Sequence, residues 1–428
     1  MTQRGWFLSI LICIVIFLGL LSRNRDVLLL SLPLLFYLGA AIWSAPEALQ
    51  VTVARTISAD RSLCAVPVRV TLTLENGPAH IAELHAEDVL PAALSVSDGK
   101  RQLATTLAAG TRTVLGYTIR GRRGEFRFVG VNVTASDHFG LFRLEQQIET
   151  SGRLLIYPQA VPLRHIDIRP QRTLGFAGPI PAGRAGSGVD FYGVREYVPG
   201  DRLRKINWRV SARHERRVFT NEFQQESLAD VGLILDARTQ SDIRTHTGSL
   251  FEYSVQATAS LADLFLRDGH RVGLMSYGPM LRVFPGYGAT QRERILSALA
   301  ASQTQMSYAF DKLGNLPTRF LPPRSQLVIV TPLLPEDLPG VLRFAALGHT
   351  ILIVSPDPLD FEIRSLSTTA GLDLPMRLAR LERAAMLRTL QRAGIRVVNW
   401  ETSQPLDQTI FVALARQRLA RPIRAVMR

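Results

Sequence analysis

Two uncharged apolar runs stand at the start of the chain, and they constrain it more than anything after them. Trp6–Ser22 reads WFLSILICIVIFLGLLS and Val27–Ser44 reads VLLLSLPLLFYLGAAIWS, with only Arg23-Asn24-Arg25-Asp26 between them. Each is close to the roughly 20 residues an α-helix needs to cross a hydrocarbon core of about 30 Å. The pair predicts a transmembrane helical hairpin within residues 1–46, spanning 6–22 and 27–44, with both ends emerging on one side. A cleavable signal peptide is the other reading of the first run. It is opposed by the second run following at once and by the lack of a small-x-small cleavage site. Trp6 and Trp43 sit near the span ends, where amphipathic rings suit the interface. Arg4, Arg55 and Arg61 flank the spans, against two arginines and an aspartate in the link, so the charge count leans toward cytoplasmic ends.

The chain of 428 residues is long enough for two or three domains, and its 46% hydrophobic content excludes wholesale disorder. It has two cysteines, Cys13 inside the first apolar run and Cys64 beyond it, which excludes a disulfide framework and a Cys-based zinc site. The net charge of +14 is nearly all arginine, since lysine occurs only at positions 100, 205 and 312. Much of that is a general arginine bias. A basic chain can bind nucleic acid, anionic lipid or an acidic protein, and the choice depends on where the charge sits.

Residues 47–158 alternate with period two. In VPVRVTLTLEN (Val66–Asn76), Val68, Val70, Leu72 and Leu74 share one face, and Asn76-Gly77-Pro78 breaks the run. Thr111–Arg120, Phe126–Ala135 and Arg153–Pro158 repeat the pattern. Short strands without an intervening helical period predict a small all-β, immunoglobulin-like antiparallel sandwich. Nothing in it reads as catalytic.

A linker and a basic motif are expected over 159–228. Gln159–Gly188 is rich in proline and glycine and reads as an arm without regular structure. Gly188–Arg217 then reads GVDFYGVREYVPGDRLRKINWRVSARHERR. From Arg195 to Arg217 it carries eight basic side chains against three acidic ones, with Tyr197 and Trp208 interleaved. Pro199-Gly200-Asp201 is a turn, and Asp201 is a candidate N-cap for a short helix turning Leu203, Ile206 and Val210 inward. Three readings stand open. One is an internal network pairing Arg195, Arg204 and Arg213 with Glu196, Asp201 and Glu222. The second is a surface for an acidic protein. The third is a phosphate or nucleic-acid surface, for which no nucleic-acid fold signature is present.

This motif resembles the hallmark of the bacterial family called domain of unknown function 58. The matching residues are Arg195-Glu196-Tyr197, Pro199-Gly200-Asp201, Arg204, Ile206, Trp208 and Ala212-Arg213. Upstream, Arg122-Arg123-Gly124 and Asp137-His138-Phe139-Gly140-Leu141-Phe142 match as well. The resemblance implies a membrane hairpin, a strand-rich region and a von Willebrand factor A-like domain. It names an interaction motif of Arg195, Glu196, Tyr197, Gly200, Asp201, Arg204, Trp208 and Arg213, and no biochemical activity. Members are typically encoded near MoxR-type AAA+ ATPases, which implies such a chaperone as a protein partner by association alone.

From residue 229 to 428 strands and helices alternate. VGLILD (Val231–Asp236) is a continuous apolar run ending in an acid, as a buried parallel strand would be. Leu250–Arg267 has helical spacing and stops at Gly269. Arg271–Gly278, Met280–Phe284, Gln326–Thr331, Thr350–Ser355 and Ile395–Trp400 read as strands. Thr290–Ala301, Leu338–Leu347 and Met376–Ala393 read as helices. The order predicts a doubly wound α/β sheet, with any site beyond the strand carboxyl ends. The von Willebrand factor A resemblance implies a metal-ion-dependent adhesion site with an Asp-x-Ser-x-Ser loop. Asp236 holds its first position, while Arg238 and Gln240 replace the serines, Ser241 lies one residue on, and Pro332 stands where a later Asp is expected. The site reads as degenerate, with no metal or other cofactor expected and the Arg238 guanidinium as an internal neutraliser of Asp236.

No enzyme signature emerges. The histidines lack metal-ligand spacing, Gly286-Tyr287-Gly288 lacks the third glycine of a dinucleotide fingerprint, and Ser276 has no nucleophile elbow. Asp357 and Asp360 lie after a strand, where caps are as expected as a site. The sequence thus predicts a non-enzymatic interaction or scaffold protein of the inner or plasma membrane, with its polar body in the cytoplasm. An outward-facing adhesion or envelope-binding module is the alternative, and a cryptic enzyme is a third reading.

Overall fold

The computed structural model describes the chain except residues 47, 167, 169–172, 175–179, 215–216, 247, 307–312, 314–323, 366–372 and 420–428. It divides into two compact units, Met1–Tyr157 and Pro158–Arg428.

The first unit begins with α1 (Gln3–Ser22) and α2 (Arg25–Trp43), two helices long and apolar enough to cross a membrane. Asn24 caps α2 through Asp26 N–H at 2.9 Å, so the helix takes in Arg25 and Asp26 and shortens the expected link to Arg23-Asn24. Arg23 turns the chain in the left-handed region at φ 51°. Phe7, Phe17, Leu21, Leu30 and Phe36 face outward along the pair, uncovered by the rest of the unit.

The strands follow as β1 (Val51–Ile57), β2 (Arg61–Leu63), β3 (Val68–Asn76), β4 (Ile81–Asp88), β5 (Leu94–Gly99), β6 (Gln102–Leu107), β7 (Arg112–Gly121), β8 (Gly124–Ser136) and β9 (Arg143–Tyr157). They form one sheet of order β1-β3-β7-β5 and another of order β2-β9-β8-β4-β6, antiparallel except for β2 beside β9. The alternation read in Val66–Asn76 is the inside–outside pattern of β3, where Val68, Val70, Leu72 and Leu74 are buried. They share one core with Leu84, Ala86, Ile119, Val131, Val133, Leu154 and Ile156 from both sheets. The Asp137–Phe142 loop is braced by the buried Asp137 carboxylate, which accepts from Phe139 N–H at 3.1 Å and Phe142 N–H at 2.6 Å. Its Leu141 carbonyl accepts from Thr2 N–H at 2.7 Å, and Phe139 lies 4.6 Å from Tyr37, ring to ring. This leaves no space beside Gly5, where a Cβ would fall 2.8 Å from the Leu141 oxygen.

The second unit opens with β10 (Thr173–Leu174), β11 (Ile180–Glu196), α3 (Trp208–Ser211) and the long β12 (Phe219–Asp236). β11 pairs antiparallel with the first half of β12, through three register shifts. This corrects the expectation of an irregular arm for its part beyond residue 180. Edge position and bulges are what let glycine and Pro181 enter a ladder. The second half of β12 then enters the α/β sheet.

There follow β13 (Arg244–Thr245), β14 (Gly248–Ser249), α4 (Leu250–Arg267), β15 (Arg271–Tyr277), β16 (Arg282–Gly286), α5 (Gly288–Ala301) and β17 (Gln326–Val330). The chain continues through α6 (Leu338–Ala346), β18 (Thr350–Pro356), α7 (Pro358–Ile363), α8 (Asp373–Arg392), β19 (Arg396–Trp400) and α9 (Leu406–Leu419). The sheet runs β16-β15-β12-β17-β18-β19, parallel except for β16. Its apolar strand runs are buried on both faces, as a helix-covered parallel sheet requires. Asp357 and Asp360, a possible site in the sequence, lie at α7. Asp357 caps it through Leu359 N–H at 3.0 Å, and Asp360 pairs with Arg364 at 2.6 Å.

His270, just before β15, is 1% exposed. Burial pushes its imidazole down to about 4 from 6.5. The folded unit therefore refuses a proton that the unfolded chain accepts below pH 6.5. Stability present above 6.5 is lost as pH falls toward 4, by about 1.4 kcal/mol per pH unit at most. His270→Gln is expected to flatten this acid-side loss, read from denaturant midpoints above and below the ordinary imidazole value.

Candidate functional site

The hallmark motif is organised by Arg195 at the end of β11. Its guanidinium grips Asp201 with two bonds of 2.7 and 2.6 Å and reaches Glu222 on β12 at 2.8 Å. Asp201 also accepts from Val198 N–H at 3.0 Å, which ties off the Pro199-Gly200 turn. Gly200 sits at φ 112°, a conformation other residues rarely adopt. The Arg195 bond holds the Asp201 carboxyl below its ordinary range, and Asp201 in turn raises Arg195. Asp201 is therefore the arginine's partner, and the expected N-cap role passes to Asn207, whose side chain accepts from Val210 N–H at 3.1 Å.

The expected single helix is a 3-10 turn at Leu203–Lys205 followed by the four-residue α3. Of the three residues expected inward, Ile206 is buried, Val210 half-buried and Leu203 exposed. The turn accounts for this, since its i, i+3 repeat does not keep Leu203 and Ile206 on the face an α-helix would. Val198, Leu203 and Trp208 stand 56, 71 and 68% exposed. Arg204 and Arg213, which one of the three sequence readings put in an internal network, are exposed and pair with no described carboxylate. Glu196 meets Arg217 only at 3.8 Å on the surface, and Tyr197 is half-buried. The motif is thus a bracket of Arg195, Asp201 and Glu222 beneath a surface of apolar and cationic side chains.

A second cluster lies beyond the carboxyl ends of β12, β15 and β17. Arg238 Nε and its backbone N–H donate to Asp236 Oδ1 at 3.0 and 3.1 Å, and Nη2 donates to Asp236 Oδ2 at 2.9 Å. The same Nη2 donates to Asp337 Oδ2 at 2.7 Å, and the guanidinium stacks over Tyr277 at 4.7 Å. Thr331 Oγ1 donates to Asp236 Oδ2 at 2.8 Å. The three charged side chains are 0–3% exposed. Burial works against the Arg238 charge, but the Asp236 bond and the nearby Asp337 outweigh it and raise the group further. Burial also raises Asp337, against the pull of Arg238. β15 comes close enough here that Gly278, at φ 100°, has no space for a Cβ, which would lie 2.8 Å from Ala237.

Of the positions read as degenerate metal ligands, Asp236 and Arg238 meet, while Gln240 is exposed on a 3-10 turn. The second acid is Asp337, five residues past Pro332, delivered by the Pro335–Asp337 turn. Among the described residues no group of three or more His, Cys, Asp or Glu is placed to hold a metal ion.

Arg383 fills the neighbouring strand ends. It donates to the Pro332 carbonyl at 2.8 Å, Ser355 Oγ at 2.9 Å and Asn399 Oδ1 at 2.7 Å, with Asp357 at 3.4 Å. Burial pushes its guanidinium down from the ordinary value. Its signal in the sequence is an arginine on the helix face shared with Met386, Leu387 and Leu390. Two buried guanidinium groups, Arg238 and Arg383, thus lie near the strand carboxyl ends, the edge at which an open α/β sheet usually takes a ligand. Ser276 is likewise tied into its turn, donating to the Pro279 carbonyl at 2.5 Å and accepting from Leu281 N–H at 3.0 Å.

Comparison with known proteins bears on the motif. Residues 193–371 match the model of a family described as Protein of unknown function DUF58. The uncharacterized protein YeaD of Bacillus subtilis (strain 168) is 29% identical over 296 residues, which is 65% of this chain and 69% of that protein. Among solved structures, the CARDB domain of the PF1109 protein from Pyrococcus furiosus aligns with 26% of this chain and 96% of its own, at 13% identity and TM-score 0.19. A non-cellulosomal cohesin from Archaeoglobus fulgidus aligns with 25% of this chain and 90% of its own, at 12% identity and TM-score 0.18. The hallmark residues Arg195 to Arg213 fall inside the matched stretch, so over residues 193–371 the chain is similar to the domain of unknown function 58 family.

Proposed function

We propose that the chain is a membrane-anchored, non-enzymatic docking protein whose motif surface holds an acidic protein partner, and that this partner is a MoxR-type AAA+ ATPase. One observation carries the reading. Arg195 is taken up by Asp201 and Glu222, while Trp208, Leu203 and Val198 stand exposed beside Arg204, Arg209 and Arg213. Exposed aromatic and arginine side chains on a braced loop are what protein interfaces enrich. The sheet order supports a von Willebrand factor A-like body, with Arg238 as the resident cation and hence binding that needs no metal. In this reading α1 and α2 form the anchor, and the polar body is cytoplasmic, where an ATPase finds ATP.

The docking test is capture of the ATPase by detergent-solubilised chain. Trp208→Ala with Arg204→Ala and Arg213→Ala is expected to lower capture at least about tenfold while the unfolding midpoint stays close to the parent's. Undiminished capture by the folded variant would refute docking at this surface. A reporter after Arg428 tests the side. Fluorescent-protein signal without alkaline phosphatase activity is expected, and the reverse would favour the envelope-binding alternative.

A further inference from the structure

Helix α8 is apolar on two opposite sides. Its inner side packs Met386, Leu387 and Leu390 into the α/β core and carries the buried Arg383. Its outer side presents Leu374, Leu378 and Leu381, which are 76, 57 and 63% exposed. Their i, i+4, i+7 spacing puts them on a single stripe, and at about 100° per residue that stripe lies opposite Arg383. The exposed Arg377 and Arg388 border it on one flank, and Glu382 with Thr389 on the other. Core packing accounts for the inner row and gives no reason for leucines in the outer one. A contiguous exposed apolar row edged by charge marks a contact surface.

We infer that this outer stripe of α8 is a seat for an anionic bilayer surface, with the three leucines entering the acyl boundary and Arg377 and Arg388 meeting lipid phosphates. The inference rests on the reading of α1 and α2 as a membrane hairpin. Two observations choose lipid as the occupant. The hairpin keeps the chain at a bilayer, so seating α8 is an intramolecular step that a stripe of three leucines can achieve without high intrinsic affinity. The flanking arginines, in a chain of net charge +14, are complementary to an anionic headgroup layer.

The test uses the full chain in proteoliposomes, with Cys13→Ala and Cys64→Ser removing the native thiols. An environment-sensitive fluorophore is placed at Leu378→Cys, or at Phe17→Cys in α1 as the hairpin control. Lipids with a spin label in the acyl chain are expected to quench both positions in vesicles containing about a third phosphatidylglycerol. Quenching at 378 is expected to fall at least about twofold in phosphatidylcholine alone or with Arg377→Glu and Arg388→Glu, and quenching at 17 to stay unchanged. Quenching at 17 without quenching at 378 would overturn the seat and leave the hairpin standing. No quenching at either position would overturn both. Shielding of 378 from lipid quencher and aqueous iodide alike would mean that a protein surface covers the stripe, which also overturns the proposal.

Discussion

Arg238→Ala is expected to destabilise the α/β unit by about 3–5 kcal/mol, the usual cost of removing one partner from a buried ion pair. The variant leaves Asp236 and Asp337 facing each other without a counter-charge, in a site that side chains 0–3% exposed keep from water. It also leaves Thr331 and the Leu333 and Leu334 amides anchored to groups that no longer have a fixed position. Denaturant unfolding read by the near-ultraviolet signal of Tyr277 and Trp400 measures the loss. Arg238→Lys, which keeps the charge and loses the fork, is expected to fall between parent and alanine variant. The pH dependence carries a sign. Burial already holds the Asp337 carboxyl above 3.8, so the folded unit takes up that proton before the unfolded chain does. Acid therefore favours the folded form at this group, and the contribution is lost as pH rises. Without the guanidinium the carboxyl rises further, so the alanine variant's deficit is expected to shrink as pH falls from neutrality toward the carboxylate range. A deficit that grew on acidification would mean the carboxylates find another cation.

β3, β7, β8 and the end of β9 in the first unit, and the main strands and most helices of the second, are legible because burial has a period. Val68, Val70, Leu72 and Leu74 announce β3, and the unbroken run Val231–Asp236 announces a strand covered on both faces. Leu250–Arg267 is read to the residue, since its apolar spacing is helical and Gly269 stops it. β1, β2 and β4–β6 of the sandwich, α7 and the two-residue strands are not picked out by the local pattern, and β11 and α9 escape it for reasons of their own. β11 is interrupted by four glycines and Pro181 and is held by its ladder to β12, a long-range pairing that no local pattern carries. α9 follows the last strand, outside the strand–helix alternation, although Leu406, Ile410 and Leu414 at i, i+4, i+8 are its buried face.

The candidate site divides along the same line. Asp236 and Arg238 are two residues apart, and their pairing can be read from adjacency. Asp337 comes from 99 residues away in the chain, on a turn that sequence cannot aim. The expectation of an acid at Pro332 looked one turn too early. Arg195, Glu196, Asp201 and Glu222 all read as partners of the basic motif, but charge alone does not say which arginine is chosen. Arg195 is chosen because the antiparallel register sets Val194 opposite Asn221 and Gly193 opposite Glu222, bringing that carboxylate beside it. Arg204 and Arg213 fall outside the ladder and remain at the surface.

In the sandwich, Asp88→Ala is expected to cost about 3–5 kcal/mol, against about 1–2 kcal/mol for Tyr117→Phe. Asp88 at the end of β4 accepts from the Arg55 guanidinium of β1 and from the Tyr117 hydroxyl of β7, and the ion-paired side chains are fully buried. Arg55 also donates to the carbonyls of Thr150 on β9 and Gly130 on β8, and stacks over Phe128 at 4.8 Å. β1 and β7 belong to one sheet, and β4, β8 and β9 to the other. The cluster is therefore a polar tie between the two layers, set beside the apolar core that both sheets share. An apolar core fixes which face of each strand points inward, but apolar contacts tolerate sliding between layers more readily than directed bonds do. Removing Asp88 leaves the Arg55 charge without its carboxylate and the Tyr117 hydroxyl without its acceptor. The cost of Asp88→Ala should consequently exceed that of deleting the hydroxyl alone. Arg55→Met with Asp88→Leu is expected to recover most of the lost stability, since both ends of the ion pair leave together. Near-equal losses in the single and paired variants would show that the aliphatic stem of Arg55 and its stacking on Phe128 hold the layers, with the carboxylate contributing little.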